Sequence, residues 1–444
     1  MTYDWILRGA ELALPEGRRV GDLAILGGKI AAIGDLSGDY GREELQGRGL
    51  LLMPGGIDTQ VHFREPGLEH KEDLESGTRA ALHGGITTVF EMPNTQPTTT
   101  TKGTLEDKLA RAKGRAWVHH AFFVGASTDN IAELAALEDL PGTPGIKIFM
   151  GSSTGSLLVS RDEDLREVLR NGRRRCAIHA EDEPRNTARK ALLSEDPHPR
   201  EHPFLRDAES ARLATERILR LSAETGRHVH VLHISTRDEL PLLEDGKAIG
   251  ATCEITPQHL WFSAPDCYDR LGSFAQMNPP IRSSEHTEGL RRAYAEGLFA
   301  VIGSDHAPHT REEKAKPYPI SPSGMPGVQT LLPAMLTLAS RGIGTVDQVV
   351  RMLTSAPSDL YGISNKGRLA VGQDADLALV DLDADYEVLD ADMQSKCGWT
   401  PYAGERFRGR VEHVFVGGVL ALRDRERVGT PAGKTVEFAW KSAK

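Results

Sequence analysis

The sequence predicts an α/β protein: a (β/α)8 TIM-like barrel joined to a small β-sandwich domain assembled from both termini. Three observations lead there. The first fifty residues alternate apolar and polar positions between glycines, as in DLAILGGKIAAIGDL, a pattern of short strands and hairpin turns. The same texture returns at residues 367–380 (GRLAVGQDADLALV) and 411–422 (VEHVFVGGVLAL). Between these ends, helical segments alternate with short apolar runs, the mark of parallel strands linked by helices.

Each element has a local reason. Residues 71–83 (KEDLESGTRAALH) open acidic and stop at Gly84 and Gly85, which suits the helix dipole and a glycine C-terminus, and ITTVFEM then supplies a β-branched strand. Residues 208–225 form a longer amphipathic helix closed by Gly226, followed by a strand at 228–234 (HVHVLHI). Further strands are expected at 146–150, 176–179, 251–256 and 300–303. A length of 444 residues accommodates one large barrel and an accessory domain. The division is 1–52 with 366–444 for the β domain and 53–365 for the barrel.

Composition excludes several classes. With 39% hydrophobic and 26% charged residues the chain is globular, and no apolar run is long enough to span a bilayer. The opening MTYDWILR has no basic region followed by an apolar stretch, so the cytoplasm is the expected compartment. Cys176, Cys253, Cys267 and Cys397 are scattered without metal spacing and read as reduced thiols. A net charge of -10 with only short basic runs argues against nucleic acid as a partner.

In a barrel of this kind functional side chains come from the carboxyl ends of strands. His62 follows PGGIDTQV, His179 ends CAIH, His233 lies near the end of HVHVLHI, and Asp305 follows AVIGS. One such histidine is ordinarily a packed core residue; three with an aspartate form a ligand set. His83, His119, His120, His228 and His286 lack that company and read as surface or structural residues. Lys147 in GIKIFM puts a cation inside an apolar strand, where desolvation lowers its pKa. The plain alternative is a buried lysine paired with a carboxylate. The functional one is a neutral amine that takes up CO2 as a carbamate able to bridge two ions. Two divalent ions about 3.5–4 Å apart polarise an amide carbonyl and supply hydroxide near neutral pH. Zinc suits imidazole and carboxylate ligands, so one or two Zn2+ ions are expected.

These residues also carry a resemblance. The chain resembles the dihydroorotases of the amidohydrolase superfamily in PGGIDTQVHFREPG (54–67), KEDLESGTRAALHGGITTVFEMPNTQP (71–97), GIKIFMGSSTG (145–155), HAED (179–182), MNPPIR (277–282), GSDHAPHT (303–310) and GRLAVGQDADLALVD (367–381). The tail motif is shared by many amidohydrolases, whereas HFREPG, MPNT, NPPIR and DHAPH together look specific to dihydroorotases. The resemblance implies reversible hydrolysis of dihydroorotate to N-carbamoyl-aspartate in pyrimidine biosynthesis. It makes His62, carboxylated Lys147, His179, His233 and Asp305 the metal shell, with Asp305 also the general base that passes a proton from a bridging hydroxide to the leaving ring nitrogen. It implies that Arg64, Asn94 and His309 hold the substrate carboxylate and that Asn278 lies near the ring. The guanidinium fork of Arg64 suits a carboxylate. For Asn94 and Asn278, turn chemistry beside Pro93 and Pro279 is an equal reading. A homodimer is implied as well.

One position departs from the family's Asp-x-His-x-His. Here the run is Asp58-Thr59-Gln60-Val61-His62, and period-two geometry points residue 60 at the metal site with an amide oxygen in place of an imidazole nitrogen. Three outcomes are open: Gln60 coordinates, a water fills its place, or that ion is lost and the site works with the ion held by His179 and His233. Two other functions compete. One is an allantoinase- or hydantoinase-type hydrolase, and the other is a catalytically silent homologue partnering aspartate transcarbamoylase.

Overall fold

A computed structural model describes residues 2–151 and 157–439. The end of the GIKIFMGSSTG motif, residues 152–155, lies outside the described residues. The centre of the molecule is a ring of parallel strands: Gly56–Val61, Ile86–Glu91, His119–Phe122 continued by Val124–Gly125, Ile146–Phe149, Cys176–His179, Val229–Val231, Thr252–Ile255 and Val301–Ile302. The third is interrupted at Phe123: its first half pairs with the second strand and its second half with the fourth. The ring closes where Val61 bridges His306 and the His62 N–H donates to the His306 carbonyl at 2.7 Å. Counting the interrupted strand once, eight parallel strands form the barrel expected of βα alternation.

The helices cover it for local reasons. The helix expected from Lys71 begins at Leu74, because the Asp73 side chain accepts from Ser76 N and Ser76 returns the bond in a capping box. Ala208–Thr225 is capped by Asp207 and ends at Gly226 with φ 72°, the left-handed conformation that glycine adopts freely. Between helices and strands lies the main apolar core, with Leu82, Val89, Ile148, Ile218 and Leu332 among its members. Inside the barrel a separate cluster of Phe90, Phe123, Ala177, Leu232, Tyr361 and Val436 fills the base.

The accessory unit is a nine-stranded mixed sheet. It takes strands from Thr2–Leu14 to Leu51–Pro54 at one end of the chain and from Leu377–Glu387 to Glu426–Arg427 at the other. The two ends meet where Leu51–Pro54 runs antiparallel to Leu377–Glu387. Its own core holds Leu7, Leu23, Leu52, Leu377 and Phe415. Beyond this sheet the chain returns to the barrel: Gly433 N donates to Ala116 O, His120 N to Lys434 O and Val436 N to His120 O. No helix among the described residues is long and apolar enough to cross a membrane.

Candidate active site

Every strand of the barrel that was expected to carry a ligand delivers it to the same end. His62 directly follows the first strand, Lys147 lies in the fourth, His179 ends the fifth, and His233 and Asp305 follow the sixth and eighth. All five are buried. Backbone strain gathers here too. Arg64 (φ 66°), His233 (φ 38°) and Asp305 (φ 45°) are three of the six non-glycine residues with positive φ among those described. Such conformations cost about 1–3 kcal/mol each and persist where the surroundings fix a side chain's aim. The strain at His233 also explains why the sixth strand stops at Val231, short of the expected Ile234.

The donors form two pairs. Burial holds His62 below the usual imidazole range, against the pull of Asp305, and so keeps it neutral. Its Nδ1 lies 2.7 Å from Asn94 Oδ1, which only accepts, so Nδ1 carries the proton. The lone pair on Nε2 then faces Asp305 Oδ1 at 3.3 Å. Two acceptors brought this close repel each other unless a proton or a cation lies between them. In the second pair, His179 Nε2 donates to Glu181 Oε2 at 2.8 Å, and Glu181 is itself held by Arg206 at 3.0 and 2.6 Å. That leaves the His179 Nδ1 lone pair 3.0 Å from His233 Nε2. A carboxylate behind a histidine is how proteins orient imidazole toward a metal.

Lys147 and Gln60 stand between these pairs in character. Lys147 is 1% exposed, its Nζ has no hydrogen-bond partner and sits 4.4 Å over the Phe149 ring. Burial pushes it down to about 7, with Asp305 and Glu254 opposing. Gln60 Nε2 donates to Asp305 Oδ1 at 3.0 Å, while its Oε1 is buried without a partner. The strict period of two does not hold through this strand. The register is irregular between Asp58 and Val61, so that Thr59 Oγ1 also reaches across, to Glu254 Oε2 at 2.9 Å.

Among the described residues no three His, Cys, Asp or Glu side chains already stand together in metal-holding geometry. The fit to a divalent cation rests instead on facing acceptors and on orphaned atoms. Lys147 Nζ, Gln60 Oε1, His233 Nδ1, Glu254 Oε1 and Asp58 Oδ2 are all buried without hydrogen bonds. Each such atom costs about 1–3 kcal/mol when left unpaired. Neutral imidazole nitrogens and carboxylate oxygens are a donor set that zinc accepts.

Beside the pairs lies a cationic corner. Arg64 donates through Nε to Pro308 O at 3.1 Å, and its Nη2 is 3.3 Å from His309 Nε2. Burial pulls the guanidinium down to about 10, so it keeps its charge at neutral pH. His309 also meets Lys71 Nζ at 3.1 Å and Ser323 O at 3.1 Å. Asn94 has its Oδ1 on His62 Nδ1 at 2.7 Å. Asn278 stands apart from this corner, its Oδ1 accepting from His202 Nε2 at 3.0 Å, and His202 reaches Ser323 Oγ at 3.4 Å.

Sequence reasoning missed Glu254, Glu181, Arg206, His202 and Lys71. Glu254 was discoverable, since TCEI sets a carboxylate in an apolar strand just as GIKIF sets a lysine. Burial raises it to about 8. Glu181 and Lys71 stand in the HAED and KEDLESG runs without a role of their own there, whereas Arg206 and His202 meet the site only through folding, with no local signal.

A model of the amidohydrolase family matches residues 51–421. A dihydroorotase of Halobacterium salinarum is 37% identical over 416 residues, covering 90% of this chain and 92% of its own. The chain belongs to the dihydroorotase group of the amidohydrolase family. A dihydroorotase of Bacillus cereus is 32% identical over 94% of this chain and 98% of its own. Among solved structures of the family, the L-hydantoinase of Arthrobacter aurescens superposes with a TM-score of 0.92 at 29% identity, covering 98% and 99% of the two chains. The dihydropyrimidinase of Brevibacillus agri gives 0.89 at 25% identity, covering 98% and 99%.

Proposed function

We propose that this amidohydrolase is a zinc-dependent dihydroorotase, interconverting dihydroorotate and N-carbamoyl-aspartate. The observation that carries the reading is the cationic corner set against the ligand pairs: Arg64 lies close enough to act electrostatically on both Asp305 and His62. A ring amide that also bears a carboxylate meets both.

In this reading Arg64, His309 and the Asn94 amide grip the carboxylate and turn the ring amide toward Asp305. Asp305 takes the proton of the attacking water as the C–O bond forms, and delivers it to the ring nitrogen as the C–N bond breaks. Asn278, steadied by His202, lies on the ring side. His62, Lys147 as its carbamate, His179, His233 and Asp305 hold the metal, with Gln60 a weak sixth candidate. When bound, the metal supplies Lewis acidity toward the ring carbonyl and lowers the pKa of water. Ring closure is the same path reversed.

Arg64→Met tests the substrate. It should raise KM for dihydroorotate by about 10- to 100-fold, the loss of a charge-assisted bidentate contact, without emptying the metal site. Equal loss on a ring amide lacking the carboxylate would make Arg64 a structural residue. The close superposition on an L-hydantoinase favours hydantoin hydrolysis as the second reading, and hydrolysis of hydantoin in preference to dihydroorotate would establish it.

Gln60 bears on metal number. An amide oxygen donates to zinc more weakly than imidazole nitrogen, and here the amide N–H end is engaged by Asp305. The ion near His62 should therefore be the more easily removed. Gln60→His is expected to raise the retained metal from about one ion to about two per chain. Two equally tight ions in the natural protein would refute this.

A further inference from the structure

We propose that Asn94 is a positioning residue for the metal as well as a substrate contact: its side-chain oxygen holds the His62 proton on Nδ1 and so keeps the Nε2 lone pair for zinc. This role rests on the zinc site of the dihydroorotase reading and gives Asn94 a task which that reading does not include.

The backbone brings the two side chains together. Val61 lies opposite Glu91 in the parallel ladder of the first and second barrel strands, and Met92 N donates to Val61 O at 2.9 Å. His62 and Asn94 therefore leave adjoining strand ends, one and three residues past the same rung. The turn beyond Asn94 closes on other atoms. Thr95 N and Thr99 N both donate to Pro93 O at 2.9 Å, and Thr95 Oγ1 donates to Pro97 O at 2.8 Å. The Asn94 oxygen goes to His62 Nδ1 instead, at 2.7 Å.

The imidazole of a metal ligand is neutral and has one proton to place. Two acceptors compete for it. Asn94 Oδ1 is within hydrogen-bond reach of Nδ1, while Asp305 Oδ1 lies 3.3 Å from Nε2, beyond the usual range of an N–H···O bond. The same Asp305 oxygen already accepts from Gln60 Nε2 at 3.0 Å. The proton therefore stays on Nδ1. Once the Asn94 oxygen is removed, the carboxylate is the acceptor left facing the ring, and the proton crosses to Nε2 and is donated to Asp305. That single shift blocks the lone pair that zinc needs and occupies the oxygen proposed to act as base. Asn94 works against Asp305, and the readiness of the ring for metal depends on which of them holds the proton.

The test compares the natural protein with Asn94→Leu and Asn94→Asp, which separate the two tasks of the residue. Aspartate keeps an acceptor for Nδ1–H but sets a charge beside the substrate carboxylate, whereas leucine keeps neither the acceptor nor the amide. In chelator-treated protein at mildly alkaline pH, nitrogen-15 NMR should show the His62 proton on Nδ1 in the natural protein and in Asn94→Asp, and on Nε2 in Asn94→Leu. Zinc binding beside His62, titrated on the same signals, should weaken about 10- to 100-fold in Asn94→Leu, the usual cost of losing the partner behind a metal-bound histidine. In Asn94→Asp it should stay within about threefold of the natural protein or tighten, while KM for dihydroorotate rises at least about tenfold. An unchanged tautomer or an unchanged zinc affinity in Asn94→Leu overturns the proposal, and so does a loss of zinc in Asn94→Asp as large as that in Asn94→Leu. The NMR and zinc arms need no turnover. A natural protein that leaves dihydroorotate unchanged while both arms hold refutes the dihydroorotase reading and upholds the role at His62.

Discussion

Replacing Asp305 with Asn should lower kcat for dihydroorotate on the order of 10²- to 10⁴-fold, the usual contribution of a positioned general base, while leaving the fold intact. The side chain is the meeting point of the site. Its Oδ1 accepts from Gln60 and faces the His62 lone pair, and the strained backbone at residue 305 aims it there. Asparagine keeps an oxygen for Gln60 and nearly the same volume, so the thermal midpoint should stay within a few degrees. It cannot accept the proton that a broken C–N bond requires its nitrogen to receive. A variant that keeps activity within tenfold of the natural protein would remove Asp305 from the chemistry.

Lys147→Met has two expected effects of opposite sign. Turnover should drop by about 10³-fold or more, because methionine can form no carbamate, the anionic metal ligand proposed at this position. The metal-free protein, however, should become more stable, by on the order of 1–3 kcal/mol, since an unpaired buried amine is exchanged for an apolar chain of similar length. The pH dependence follows from linkage. The folded-state value of about 7 lies below the usual 10.5 of a free lysine, so the unfolded chain binds the extra proton between those values and the natural protein gains stability as pH rises through that window. The advantage of methionine is therefore greatest below pH 7 and shrinks toward pH 10.5. Denaturation of chelator-treated samples at pH 6 and pH 9 measures it, and a destabilised variant at pH 6 would show that Lys147 has a partner in the fold.

Much of this was legible because barrel chemistry is local in sequence. A strand announces itself by β-branched residues, and the side chain proposed to act sits at its end: His179 closes CAIH, and Cys176–His179 forms as expected. Lys147 was visible as a charge among apolar neighbours. The barrel and the family resemblance are both borne out by the family match and the superposed structures. What escaped has physical reasons. Helix and strand ends depend on a cap at Asp73 and on strain at His233, which composition does not encode. Glu181 with Arg206, and Lys71 with His309, join residues 25 and 238 positions apart, and only the closed barrel brings them together. The irregular register between Asp58 and Val61 likewise bends a pattern that a strict alternation would miss.

The return of residues 433–436 to the base of the barrel sets an order for assembly. Val436 packs in the same cluster as Phe90, Phe123 and Tyr361, and its N–H completes a bond to His120 on the third strand. During synthesis these aromatic rings emerge from the ribosome more than seventy residues before their last covering segment. A nascent chain that has already made all eight strands still exposes an apolar floor, and the long sequence separation of that final contact makes its closure late. The base, far from the catalytic mouth, is where a half-made chain is open to aggregation and to chaperone capture.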